Sequence, residues 1–398
     1  MSKLQKLIEE LCPDGVEFKA LWELTAWDKK FNGIDKSMQK KIIKYPYVLA
    51  KVFDELEVAE GDVKLLSTGI SDKERWTTEE IAGDLVCEGE IVAIPWGGTP
   101  NVKYYNGKFV TADNRIATSL DTSILNNKYL YYCLCQKIEE IAALYRGAGI
   151  QHPSMKGVLS LEIPVPPLAV QEEIVKILDK FTTLEAELEA ELEARKKQYE
   201  YYRNQLLTFD KVGGANSDAR LYTLGEVFNM KAGKHISAKY ISDIKTTEYP
   251  HPCFGGNGIR GYVKEKSDSG IYPIIGRQGA LCGNVQMTNG DFYATEHAVV
   301  VKPKMNVDMN WAYHKLTHMN INQYKTQSAQ PGLAVSRVEA VEICLPPLAE
   351  QQRIASILDR FEALTTDLQS GLPAEIEARR QQYEYYRNKL LTFERKTA

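Results

Sequence analysis

Two histidines four residues apart, His314 and His318, are the first pattern in this 398-residue chain that could do chemistry. On one helix face they could hold zinc, but no glutamate follows His314 as a helical zinc hydrolase needs. They read as an ordinary helix face. Gly256-Asn257-Gly258-Ile259-Arg260-Gly261 matches GxGxxG letter for letter. No helical pattern follows it, so it reads as a glycine loop that lets backbone approach a ligand, not as a dinucleotide site. Pro13-Asp14 and Glu17-Phe18-Lys19 resemble a nuclease signature but stand too close together to build its pair of strands. Cys133 and Cys135 read as small buried hydrophobes. No GxxxxGK[ST] loop occurs, so no nucleotide motor is visible in the sequence. Neither Val165-Pro166-Pro167-Leu168 nor Leu345-Pro346-Pro347-Leu348 begins with Asp or Asn, or ends in an aromatic, as an adenine methyltransferase loop would. The expectation is a chain with no catalytic residue and no metal site.

The residues that remain suit binding. Net charge is −4, yet it is unevenly spread. Residues 28–51 hold seven lysines against Asp28 and Asp35, and residues 231–266 hold seven Lys or Arg against Asp243, Glu248 and Glu265. Two separate basic stretches could neutralise the phosphates of a duplex. Phosphate contacts are expected from Lys29, Lys30, Lys36, Lys103, Lys156, Lys234, Lys239 and Lys264. Base-edge contacts are expected from glycine-flanked loops. In the first half these are Trp96, Gly97, Gly98, Thr99, Asn114, Arg115, Arg146 and Gln151. In the second they are Asn257, Arg260, Arg277, Gln278, Glu296, His297 and Gln330. Arg suits guanine, and Asn or Gln suits adenine, by bidentate geometry in the major groove.

Elements must hold these loops, and the sequence lays them out twice. IVAIPWGG at 91–98 reads as a strand ending in a glycine turn. VKYYNGKFVTADNRIAT at 102–118 reads as a hairpin about Asn106-Gly107. A helix follows at 128–144, then a final strand, VLSLEIPV. Residues 213–345 replay the plan, with Asn289-Gly290 in the place of Asn106-Gly107 and Glu296-His297 in that of Asp113-Asn114. QSAQPG takes the place of GAGIQH. Mixed strands and helices indicate an α+β fold.

Between these regions lie two helical blocks that are nearly one text. EARKKQYEYYRNQLLTF at 193–209 and EARRQQYEYYRNKLLTF at 377–393 agree at 14 of 17 positions. PPLAVQEEIVKILDKF at 166–181 and PPLAEQQRIASILDRF at 346–361 agree at 10 of 16. Such a repeat is a duplicated architectural unit. Apolar residues step by threes and fours through both blocks, the seam of a coiled coil with occasional stutters. About 40 residues at ~1.5 Å each make a rod of roughly 60 Å. Four segments follow: a mixed domain at 1–165, a helical region at 166–212, a second mixed domain at 213–345 and a distal helical region at 346–398. The fold expected is two mixed α/β domains separated by two long helices that pair as an antiparallel coiled coil, with a pseudo-twofold internal repeat.

Hydrophobic content of 44% and charged content of 26% are those of a globular protein. No run of 18 apolar residues occurs, and the start lacks a signal peptide's apolar core. Seven cysteines without a CxxC pair point to a reducing, cytoplasmic setting.

Two variable domains alternating with near-identical blocks bearing PPLAxQxxI and QYEYYRNxLLTF resemble the specificity subunit of type I restriction–modification systems over essentially the whole chain. The tandem EAEL at Glu185–Leu188 and Glu189–Leu192 resembles the branch with tetrapeptide repeats in its central helix. The resemblance implies that each variable domain is a target-recognition domain reading one half of a split site in double-stranded DNA. It implies that the helices set the spacer and dock two modification (methyltransferase) subunits, and that two restriction (endonuclease/translocase) subunits complete the assembly. S-adenosylmethionine, ATP and Mg belong to those partners, and this chain carries no cofactor. Tyr199, Tyr202 and Arg203, with Tyr383, Tyr386 and Arg387, are the expected methyltransferase contacts, since Tyr and Arg dominate interface hot spots. Gly371-Leu372-Pro373 departs from perfect duplication and should break the second rod. The competing class is a coiled-coil adaptor presenting two protein-binding domains.

Overall fold

The computed structural model describes residues 3–70, 74–208, 219–279, 281–326 and 331–396. The chain forms two compact units that cut across its linear order. One comprises Met1–Glu187 with Glu377–Ala398, the other Leu188–Ile376. Each therefore joins one mixed domain to the start of one helical block and the end of the other.

In the first unit, strand Glu17–Ala20 pairs antiparallel with Glu162–Val165. Together they close the base of the domain. Above them lies a six-stranded mixed sheet in the order Thr25–Trp27, Asn114–Ser119, Cys87–Pro95, Lys103–Thr111, Val63–Leu66 and Trp76–Thr77. Its one parallel pair is Val63–Leu66 with Lys103–Thr111. Trp27, Val92, Tyr129, Ile141 and Val158 form a core with Val170, Ile174 and Leu178 of the first helical block and Leu391 of the second. The expected hairpin at Asn106-Gly107 is absent. These residues lie inside strand Lys103–Thr111, opposite Glu90 and Gly89. The turn falls instead between Pro95 and Lys103. Asn-Gly favours a turn locally, but the strand pattern continues on both sides. The Tyr105 ring also covers Gly107, with its atoms 3.3–3.5 Å from where a β-carbon would stand. That packing and the long partner strand outweigh local turn preference.

In the second unit, Arg220–Thr223 pairs with Glu342–Leu345 in the same antiparallel way. Here the strands fall into two four-stranded sheets. One holds Phe228–Ala232, Ala298–Pro303, Pro273–Gly276 and Val285–Met287; the other holds Gly258–Val263, His251–Gly255, Asp291–Ala294 and Asp268–Ser269. Asn289-Gly290 does turn the chain, with Gly290 at φ +79°. It joins strands of different sheets, so it is not a hairpin. The glycine motif 256–261 is the tip and return of the hairpin between His251–Gly255 and Gly258–Val263. Gly276 packs so closely against it that a β-carbon there would collide with the backbone oxygen of Gly256.

The first helical block is one helix, Leu168–Leu207, of 40 residues. The second is two helices of 19 residues, Leu348–Thr366 and Leu372–Leu390. The break falls at the glycine and proline that foretold it. A side chain at Gly371 would press on the carbonyls of Ala363 and Asp367, each 2.7 Å away. Pro373 sits in the first turn of the new helix, where its missing N–H costs nothing. Within the first unit Phe181 stacks on Tyr386, centroids 5.3 Å apart, and Glu185 meets Arg380 at 2.6 Å. Numbers rise on one helix as they fall on the other, so the pairing is antiparallel. Within the second unit Tyr199 and Tyr202 pack on Phe361 at 6.4 and 5.6 Å.

The glutamine of PPLAxQ explains part of the duplication. Gln171 is fully buried and accepts from the N–H of Asn126 at 2.9 Å. Its amide nitrogen donates to the carbonyls of Ile124 and Pro166, each at 2.8 Å. Gln351 likewise accepts from Asp308 N at 2.9 Å and donates to Pro346 O at 2.7 Å. Asn126 and Asp308 are the N-caps of the domain helices Asn127–Gln136 and Met309–His318. One glutamine thus ties each block to the capped end of its domain helix. Among the described residues no helix is long and apolar enough to cross a membrane.

Candidate nucleic-acid interface

In the first unit the loops after strand Cys87–Pro95 and before helix Met155–Leu159 meet. His152 Nδ1 lies 2.7 Å from Trp96 O, and the two rings stand 5.2 Å apart. Gly98 N donates to Gln151 O at 3.2 Å. Beside them opens a cavity of about 470 Å³ lined by Lys29, Lys30, Tyr47, Trp96, Asp113 and Lys156, among others. Lys29 Nζ stands 5.2 Å from the Tyr47 ring centre and 5.9 Å from that of Trp96. Lys36, Gly98, Thr99, Arg146 and Gln151 are exposed, while Trp96 and Gly97 are half-buried. An aromatic floor with a cationic rim suits a charged, planar polymer.

Three expected contacts in this unit do not reach solvent. Arg115 is fully buried, with one terminal nitrogen on Asp28 at 2.9 Å and the other on Asp113. Its guanidinium lies 4.8 Å from the Trp96 ring centre and so props that ring from within. Burial pushes the Asp28 carboxyl up, against the opposing pull of Arg115. Asn114 is buried and donates to Leu66 O at 3.1 Å and Thr111 Oγ1 at 3.2 Å. Lys103 is 7% exposed and lies 3.4 Å from Ser67 Oγ. Asn114 and Arg115 are neighbours on a strand buried on both faces, and sequence spacing alone did not reveal that both faces were covered.

In the second unit Arg277, Gln278, Glu296 and His297 come together. Arg277 N donates to His297 O at 2.8 Å, and its side chain reaches Leu333 O at 3.4 Å and Glu296 O at 3.5 Å. Glu296 meets His235 Nδ1 at 2.8 Å. Burial pushes the Glu296 carboxyl up, but the His235 bond and its own backbone N–H hold it below the ordinary range. His297 Nδ1 is buried with no hydrogen-bond partner. A β-carbon on Gly256 would collide with Gln278 O, which brings the tip bearing Asn257 to this cluster. Asn257, Arg260, Lys234 and Lys239 are exposed, and Lys264 is exposed but paired with Glu248. Gln330 lies outside the described residues.

The backbone bonds correct the alignment of the two halves. Trp96 N donates to Asp113 O as Arg277 N donates to His297 O, and Gly98 N donates to Gln151 O as Gly279 N donates to Pro331 O. Asp113 therefore matches His297, one residue along from the register read in the sequence.

His314 is fully buried, with Nε2 on Asp359 at 2.7 Å and Nδ1 3.4 Å from Tyr199 Oη. Glu362, beside it, accepts from Tyr313 at 2.6 Å. The first unit repeats this with Tyr132 on Asp179 at 2.5 Å. Both centres tie a domain helix to a helical block.

A family model, the type I restriction modification DNA specificity domain, matches residues 13–194 and 216–378. The chain belongs to that family of specificity subunits. The type I restriction enzyme EcoprrI specificity subunit of Escherichia coli is 56% identical over 211 residues, 52% of this chain. The match spans 51% of that relative, about half its length. The EcoR124I/EcoR124II specificity subunit of the same organism is 33% identical over 306 residues, 70% of this chain and 74% of that one. The crystal structure of a type I restriction-modification S subunit from M. genitalium superposes with a TM-score of 0.64 at 19% identity, covering 95% of this chain and 96% of that one. This specificity subunit thus carries two target-recognition domains on a repeated scaffold.

Its expected docking residues are partly spent on the fold. Tyr199 packs on His314 at 6.5 Å, and Tyr383 packs on Tyr132 at 6.5 Å; burial raises both phenols. Arg203 and Arg387 lie over Tyr199 and Tyr383. Tyr386 stacks on Phe181, and Tyr202, 39% exposed, stacks on Phe361. The middle tyrosines, Tyr201 and Tyr385, are each 60% exposed. The sequence reading passed them over, although the doubled YEYYRN named them as plainly as their neighbours.

Proposed function

We propose that each target-recognition domain of this specificity subunit reads one half of a bipartite site in double-stranded DNA. The two helical blocks set the unspecified spacer and dock two modification subunits, to which two restriction subunits add. The chain itself is non-catalytic. It directs adenine methylation and cleavage performed by partners that hold S-adenosylmethionine, ATP and Mg, and it acts in the cytoplasm.

The observation that carries this reading is a scaffold repeated with different contents. The closing ladders, the caps and the loop-anchoring bonds recur in both units, while the side chains at the open loops differ. A shared frame with divergent loops is how one architecture serves two specificities. Phosphate contacts fall to Lys29, Lys30, Lys36 and Lys156 in the first unit and Lys234 and Lys239 in the second. Tyr201 and Tyr385, doubled and exposed, join Tyr202 as the tyrosines offered to the modification subunits. Methylation-sensitive sequencing of host DNA with and without this gene tests the reading. A split adenine-methylated motif should appear only with the gene. An identical methylome in both strains overturns it.

A further inference from the structure

The two units carry different chemistry at one shared scaffold position. In each, a strand ends and its next residue donates a backbone bond to the residue just before a second strand: Trp96 to Asp113 O at 2.9 Å, Arg277 to His297 O at 2.8 Å. In the first unit a buried arginine backs the Trp96 ring. In the second the arginine itself stands at that position, half-buried.

We propose that Arg277 selects a guanine in the half-site read by the second unit. Three observations carry this. Its bonds to Leu333 O and Glu296 O, at 3.4 and 3.5 Å, are at the weak limit, so they aim the guanidinium without consuming its donors. The neighbouring His297 is part-exposed, with its Nε2 3.4 Å from Glu296 Oε1, so the cluster around the guanidinium opens to solvent. Gly256 and Gly276 let two backbones close on each other next to it, which fixes the loop from which its side chain rises. A planar fork held this way matches O6 and N7 of guanine in the major groove. Lysine would keep the charge but not the fork. The inference rests on the proposal that the second unit reads one half-site.

The test uses the full chain with its modification subunits and duplexes carrying the motif found by methylome sequencing. Each base pair of the second half-site is changed in turn, and the ratio of affinities is read at each position. In the unaltered protein one guanine should be preferred over the other bases by roughly 5- to 150-fold. In Arg277→Gln that ratio should fall to about 1, and in Arg277→Lys it should fall without vanishing because lysine can still donate to O6 or N7, while ratios at the other positions and throughout the first half-site stand. Because a ratio is read, a general loss of affinity does not obscure the result. If Arg277→Gln binds no duplex, Arg277→Lys supplies the measurement. A second half-site without guanine, a guanine preference retained in Arg277→Gln, or an undiminished one in Arg277→Lys overturns the proposal. Failure of the reading beneath it looks different: ratios in both half-sites would then respond together.

Discussion

Replacing Gln171 by leucine keeps the volume of a fully buried side chain and removes all of its hydrogen bonds. Three main-chain groups then lose their partner: Asn126 N at 2.9 Å, and the carbonyls of Ile124 and Pro166, each at 2.8 Å. Ile124 is exposed and the bonds to its carbonyl and from Asn126 N are only part-buried, so water can replace them, whereas the buried carbonyl of Pro166 left unsatisfied costs about 1–3 kcal/mol. A typical domain has only about 5–15 kcal/mol in hand. For a unit of about 200 residues, 1 kcal/mol moves the midpoint by about 2–4 °C. The melting transition of Gln171→Leu should therefore fall by at least about 2 °C in scanning calorimetry. Gln351→Leu likewise frees one buried carbonyl, that of Pro346, and should cost about the same, about 1–3 kcal/mol. A shift smaller than about 2 °C for Gln171→Leu would refute the argument that this doubled glutamine locks block to domain.

Two further outcomes follow from the helices. Tyr201→Ala combined with Tyr385→Ala should leave the melting temperature unchanged, since both are exposed, yet weaken capture of modification subunits by roughly 30-fold per site; native mass spectrometry still showing a fully formed two-to-one complex at low concentration would count against it. Inserting a third EAEL after Leu192 adds about 6 Å of helix and rotates its far end roughly 40° beyond a turn. One base pair adds ~3.4 Å and roughly 35°. The spacer should lengthen by one base pair with both half-sites unchanged; methylome sequencing of the variant decides, and an unchanged spacer at full activity would sink the ruler.

Much of this architecture was legible because it is written twice. The helical blocks, the break at Gly371–Pro373 and the mixed domains all follow from periodicity, proline and glycine placement, and repetition. What failed did so for tertiary reasons. Asn106-Gly107 carries the strongest local turn signal in its region, but a long partner strand and the Tyr105 ring held it in a ladder. Arg115 and Asn114 looked like readers because of their type, yet they lie on a strand buried on both faces, and Arg115 became the support of Trp96. Type alone cannot say which face of a strand is covered. The register error at His297 arose because two loops of unequal length were aligned by letters, whereas backbone bonds fix the match. Gln171 and Gln351 were visible as a doubled letter, but their role needed the caps they satisfy.

The most direct test of the central claim replaces residues 25–160 with the equivalent domain of a relative and sequences the methylated motif. One half of the motif should change to that of the donor, with the other half and the spacer unchanged. A motif in which both halves change, or neither does, would contradict the account of two independent readers on one repeated scaffold.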